Sequence, residues 1–264
     1  MHVDILPYAS SSMDRHDIRK EELEVASTLS HLLLPHLLDK NKLVVLEGRY
    51  VWRLNIDVLV THCDGSLMDA CSMVIWGAMQ NLSLPSVVPV EKVDQGQGAG
   101  KRSGKKASDE IMLDGDIANS VTPDGVLDCP IVVTVCLIPV ATSEDDNSKG
   151  TTTVRKVKKK HESVMIVDAS RQEEKCASTK VSMSVDGAGN ICGVHKYGSS
   201  SVLGSASGNI KFEMLPKIQD VAVACSKSAF AMLKSSHADN GAGKGLGNDQ
   251  DAYSNFFRGQ YELQ

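Results

Sequence analysis

Aromatic residues are scarce: 4% of the 264 residues are Phe, Trp or Tyr. Any core must therefore be built from Val, Leu, Ile, Ala and Met. An excess of positive charge is also missing. The chain has 28 Lys and Arg against 33 Asp and Glu, a formal net charge of −5. That excludes a globally basic nucleic-acid binder and leaves only local basic patches. No apolar run reaches the ~18 residues of a membrane helix. The longest, Cys129 to Val140, is short and carries Pro130 and Pro139. The opening Met1-His2-Val3-Asp4-Ile5 has neither the basic region nor the apolar stretch of a secretory leader, so no membrane partner is expected. Of the 7 cysteines, no two form C-x-x-C; they read as buried reduced thiols of a cytosolic or nuclear protein. The 8 histidines show neither H-x-x-x-H nor H-E-x-x-H. No metal and no cofactor is expected.

What is present alternates between strand and helix patterns. Residues 3–8 read as a short strand. An amphipathic helix follows from Arg19 to Leu34, with Pro35 disturbing its last turn. Leu43 to Glu47 reads as a strand in a hairpin with Val51–Thr61, whose Trp52, Leu54, Ile56, Val58 and Val60 share one side. After the Asp64-Gly65 turn, Ser66-Leu67-Met68-Asp69 resembles a capping box opening a buried helix that ends near Asn81. Cys129–Pro139 reads as a strand buried on both faces. Val164–Asp168 is a strand and Ser170–Ala177 a short acidic helix or turn. Val181–Val185 and Asn190–Lys196 flank the hairpin turn Asp186-Gly187-Ala188-Gly189. Ile210–Lys234 is a long helix with Ile218, Val221, Ala222, Cys225, Ala229 and Met232 as its stripe. Two polar low-complexity stretches, 92–125 and 142–162, read as insertions, and 236–264 as a flexible tail. The expectation is one domain over 1–235 of mixed α+β class.

Few residues suggest chemistry by spacing alone. Asp168, Glu173 and Glu174 form an acidic cluster that would suit Mg²⁺ or a general base, but a solvated helix start explains it better. The run Arg155, Lys156, Lys158, Lys159 and Lys160 fits a nuclear-localisation signal or an RNA contact, and equally a solvated loop. Lys101-Arg102 and Lys105-Lys106 form a weaker cluster. The Gly198–Gly208 loop lacks the spacing of a phosphate or dinucleotide motif.

Three stretches, taken together and in order, carry a resemblance. Val51–Met73 contains a strand, an Asp-Gly turn and a helix start. Val167–Ser178 contains a strand followed by an acidic Glu-Glu turn. Asn190–Val202 contains a hairpin strand and a Gly/Ser loop. They resemble the RNase PH family. The fold so implied is the RNase PH fold, related to domain 2 of ribosomal protein S5, with mixed sheets and packed helices. The family fold opens with further strands and an R-x-D-G-R-like segment before the equivalent of Val3. The resemblance thus implies a chain whose N-terminal strands are missing.

Departures from the family pattern bear on function. Active members carry a phosphate-binding Arg in a G-T-R motif, and the matching position here is Met68. They also carry a catalytic Asp after the acidic turn, and the matching position is Lys180. Both positions are read as degenerate, since loss of the electrostatic anchor and of the carboxylate removes the main catalytic terms. The resemblance implies a non-catalytic ring subunit of the RNA exosome that lines the RNA channel. Its implied partners are other RNase PH-like ring subunits, S1/KH-type cap subunits, a hydrolytic exonuclease subunit and single-stranded RNA, the last contacted by Arg15 in the loop after the first strand. The implied compartments are the nucleus, including the nucleolus, and the cytoplasm. Alternatives are an active phosphate-dependent 3′-to-5′ exoribonuclease and an S5-like protein-interaction module.

Overall fold

The computed structural model describes residues 1–9, 14–37, 40–89, 111–114, 116–123, 129–141, 161–198 and 210–241. Its elements run β1 (His2–Ile5), α1 (Arg15–Leu37), β2 (Val44–Leu46), β3 (Tyr50–Val51), β4 (Asp57–Val60), α2 (Leu67–Gln80), β5 (Val87–Pro89), β6 (Ile111–Leu113), β7 (Ile131–Ala141), β8 (His161–Val167), α3 (Arg171–Cys176), β9 (Thr179–Val185), β10 (Ile191–Gly198) and α4 (Leu215–Gly241). Residues Met1–Lys227 form one compact unit. A second, Ser228–Gln264, contains the C-terminal part of α4.

The main sheet is antiparallel, in the order β10-β9-β7-β8. Its strands read as near-continuous apolar runs because both faces are covered. One face packs Val133, Val135, Leu137, Val181, Met183 and Val185 against Ile218 and Ala222 of α4. Cys136 belongs to a second buried cluster with Ala169 and Ala177. The turn at Asp186 closes the β9–β10 hairpin: its Oδ1 accepts the Ala188 and Asn190 backbone N–H groups at 2.9 and 2.8 Å.

A two-stranded parallel pair, β1–β4, lies beside α1. α1 buries Ile18, Val25, Leu29, Leu32, Leu33 and Leu37 at helical spacing. It begins earlier and ends later than its apolar pattern predicts, since it continues through Pro35. Proline removes one backbone hydrogen bond and crowds the turn before it, and burial of Leu33 and Leu37, four apart on one face, offsets that cost.

Four further expectations change. The alternation from Trp52 to Val60 holds as a burial pattern, yet the run is not one strand. Its start, β3, pairs with β2, while β4 takes β1 as a parallel neighbour, and each partner claims only part of the run. The stretch 92–125 contains β6, which pairs with β5, and a bridge joins Leu84 to Val121. The apolar Ile111-Met112-Leu113 within a polar surrounding is the reason. The helix at the C-terminus runs to Gly241, beyond Ser236, and Met232 on its expected stripe is exposed. β8 starts at His161, inside the second insertion. Insertion residues 92–110, 115, 124–125 and 142–160, which include the basic runs at 101–106 and 155–160, the Gly/Ser loop from 199 to 209 and the tail from 242 lie outside the described residues. No described helix is long and apolar enough to cross a membrane.

Candidate functional site

A cleft of about 340 Å³ opens where α1, the start of α2, α3 and the strands β7, β9 and β10 meet. It is built by two tight turns that clasp each other. In the first, Gly65 sits at φ +127° and bridges Ser170 of the second. The Arg171 N–H donates to the Asp64 carbonyl at 2.6 Å. A Cβ on residue 65 would fall against the Ala169 carbonyl oxygen and within 2.7 Å of the Arg171 nitrogen. Glycine is required there for both conformation and space.

The second turn starts α3 with a capping box. The Ser170 side chain accepts the Glu173 N–H and the Glu173 carboxylate accepts the Ser170 N–H. The box expected at Ser66 does not form. Ser66 is at φ 45° and its side chain makes no cap. Its N–H donates instead to Glu174 Oε1 at 2.9 Å. The first turn of α2 is thus capped from a distant turn, which short-range spacing does not show.

The three acidic residues read as a cluster do not converge. Glu173 serves the capping box, and Asp168 is exposed at φ 56°. Glu174 turns into the cleft and meets Lys180, with 3.4 Å between Oε2 and Nζ. No metal-holding group of His, Cys, Asp or Glu occurs among the described residues.

Met68 and Lys180, 112 positions apart in the sequence, both line this cleft. Met68 lies in the first turn of α2 and is buried. Lys180 is carried by β9, and its ammonium lies 5.8 Å from the centre of the Tyr197 ring. Burial pushes the Tyr197 hydroxyl up to about 12. Arg15 is not in a loop: it is the exposed first residue of α1 and is not among the residues lining the cleft. The helix begins there because the Ile18 N–H already bonds the Asp14 carbonyl.

Two features of the site escape a reading of local sequence. Arg171 pairs with Glu21 of α1 at 2.5 Å, tying α3 to α1. Its place after Ser170, in a Ser-x-x-Glu spacing, was the available signal. Beneath the cleft, Asp69 accepts the Thr134 N–H at 2.8 Å and its hydroxyl at 2.6 Å, and that hydroxyl contacts Ser182 at 2.8 Å. Burial is the main reason the Asp69 carboxyl is pushed up to about 6. The signal was a single charge in an otherwise apolar helix.

This arrangement of helices and sheets is an RNase PH-type α+β fold. Family comparison gives the same class: the model described as 3′ exoribonuclease family, domain 1, matches residues 1–85, and domain 2 of that family matches residues 150–204. The chain belongs to the 3′ exoribonuclease family, that of RNase PH. It is 24% identical over 235 residues to the exosome complex component Rrp42 of Sulfurisphaera tokodaii, covering 89% of this chain and 67% of that protein. It is 27% identical over 160 residues to a Dictyostelium discoideum protein provisionally named exosome complex exonuclease RRP42, covering 61% of this chain and 38% of that one. The chain therefore spans well under half of one such relative and two thirds of the other. Among solved structures, a chain of the Archaeoglobus fulgidus exosome with RNA bound to the active site superposes with a TM-score of 0.51 at 21% identity, over 88% of this chain and 68% of that one. That likeness speaks to the fold.

Proposed function

We infer that the chain acts as a non-catalytic ring subunit of an RNA exosome. The relatives' names support the assembly. The observation that carries the non-catalytic part is the cleft itself. Phosphorolysis needs a cationic anchor for inorganic phosphate and a carboxylate to protonate the leaving oxygen. At the position of the anchor stands the thioether of Met68, which offers no positive charge. At the position of the carboxylate stands Lys180, paired with Glu174. The Arg171 guanidinium is engaged by Glu21. Charge in the cleft is thus balanced within the chain.

In this reading the chain contributes surface and structure. Its partners are other RNase PH-like ring subunits, S1/KH-type cap subunits and a hydrolytic exonuclease, with single-stranded RNA passing nearby. Arg15 is exposed and suits a phosphate-backbone contact of the kind that carries no base specificity. The reading also places the protein in the nucleus, nucleolus and cytoplasm.

The test incubates the purified chain with single-stranded RNA, inorganic phosphate and Mg²⁺. No release of nucleoside diphosphates is expected; release by the lone chain overturns the non-catalytic reading. Affinity purification from cell extract should recover other RNase PH-like subunits. Their absence would favour an S5-like module with other partners.

A further inference from the structure

None of the residues of the β2–β3 hairpin lines the cleft. The hairpin ladder runs from the Trp52 N–H, bonded to the Leu43 carbonyl at 2.8 Å, through the pairs Val44–Val51 and Leu46–Tyr50. Residues opposite each other across an antiparallel pair lie side by side. All four of these are exposed: Val44 at 45%, Leu46 at 38%, Tyr50 at 44% and Val51 at 65%. The register shifts between the two pairs, a bulge of the kind that re-aims side chains. A two-stranded ribbon alone in water is marginal, and an exposed apolar face of this kind marks a contact surface.

Charge says what covers it. Residues 40–53 hold Lys40, Lys42, Arg49 and Arg53 against Glu47 alone, and no other described stretch of that length is as basic. Lys42, Arg49 and Arg53 are exposed. In a chain of net charge −5 this excess is local. Cations beside an exposed phenol ring and a strip of aliphatic side chains match a polyanion that carries flat apolar units. Single-stranded nucleic acid has that chemistry: its bases stack on rings whatever the sequence, and its phosphates meet Lys and Arg. A purely apolar protein partner would desolvate these cations without pairing them.

We propose that the β2–β3 hairpin is a platform for single-stranded RNA, on which a base stacks against Tyr50 and phosphates are met by Lys42, Arg49 and Arg53. The choice of RNA over other single strands rests on the preceding reading of the chain as an exosome ring subunit. The hairpin adds to that reading a contact made outside the cleft and by residues other than Arg15. It engages base faces and the phosphate backbone, so sequence preference there is weak.

The experiment follows the fluorescence anisotropy of short labelled oligouridylate and oligoadenylate as the full chain is added, across a salt series. The unaltered chain should bind both. Tyr50→Ala should weaken binding about tenfold and Tyr50→Phe should not, the mark of a stacked base. Arg53→Gln should make the slope of log affinity against log salt shallower by about 0.7, one phosphate contact on a single strand. Thiouridine placed in the RNA should crosslink under ultraviolet light to peptides containing residues 42–53, a readout that needs no variant. No RNA binding by the unaltered chain, unchanged affinity in folded Tyr50→Ala and Arg53→Gln, or crosslinks confined to other peptides overturns the platform. Hairpin variants that keep RNA affinity but lose co-purifying ring subunits make the face a protein-docking surface, which also overturns it. The ring reading fails separately: it falls if affinity purification of the unaltered chain recovers no other RNase PH-like subunit, whatever the hairpin binds.

Discussion

Asp69 takes the place of a missing strand for Thr134. β7 pairs with β9 along residues 131–137, but its pairing with β8 begins only at Val135. The N–H groups of Val132 and Thr134 therefore point away from β9 with no strand to receive them. α2 supplies both acceptors from one face: Ser72 Oγ takes Val132 N–H at 2.9 Å, and Asp69 takes Thr134 N–H at 2.8 Å. Residues three apart on a helix share a face, which lets one helix cap two alternate residues of a strand.

This relationship gives stability a pH dependence. An unfolded Asp69 releases its proton near 3.8, whereas the folded, buried carboxyl holds it to about 6. Between those values the folded chain binds more protons, so the stabilising contribution is complete below pH 3.8 and lost as pH rises through 6. The shift corresponds to on the order of 3 kcal/mol. Urea midpoints from pH 4 to 7 should fall more steeply for the unaltered chain than for Asp69→Asn, whose amide does not titrate. Parallel curves would contradict the assignment.

Ser72→Ala leaves the buried Val132 N–H without its acceptor. A loss of about 1–3 kcal/mol is expected, measurable by denaturant unfolding. Hydrogen exchange at Val132 should accelerate while the β7–β9 ladder further along stays protected.

Gly65→Ala attacks the clasp between the two turns. The positive φ and the contact with the Ala169 carbonyl act together, so the cost should be on the order of 3 kcal/mol. Thermal melting measures it directly. A neutral result would mean that the turn relaxes freely and that the cleft is not held by it.

Cysteine reactivity should divide sharply. Cys71 and Cys129 are pushed up to about 12 and Cys136 to about 11, in each case first by burial. At pH 8 a thiol of pKa 12 is ionised about once in ten thousand molecules. Cys176, exposed on α3, should be alkylated by iodoacetamide well before these three. Peptide mass spectrometry of a time course gives the order.

Much of the fold was legible because its signals are local. The alternation from Trp52 to Val60 predicts which side is buried even though the run is shared between two partners. The apolar run of β7 announces a strand covered on both faces, and Asp186-Gly-Ala-Gly189 announces a hairpin. What stayed hidden depends on distant partners. Ser66 looked like its own cap, but the cap is Glu174, 108 positions away. Pro35 looked like a helix end, but burial of Leu37 carries the helix past it. At the site, counting along two motifs picks out Met68 and Lys180, and the fold sets both at one cleft. The ion pairs of Arg171 and Lys180 emerge only once α1, α3 and β9 are assembled.

The clasp between the turns also orders events in time. Asp64, Gly65 and Ser66 are synthesised more than 100 residues before Ser170, Arg171 and Glu174. At roughly 5–20 residues per second on the ribosome, the first turn waits on the order of 5–20 s for the second. During that interval α2 has no cap at its start, and Gly65 is free of the neighbour that requires it. The cleft is therefore among the last parts of the molecule to exist, and a nascent chain halted before Ser170 would carry both halves of neither its clasp nor its ion pairs.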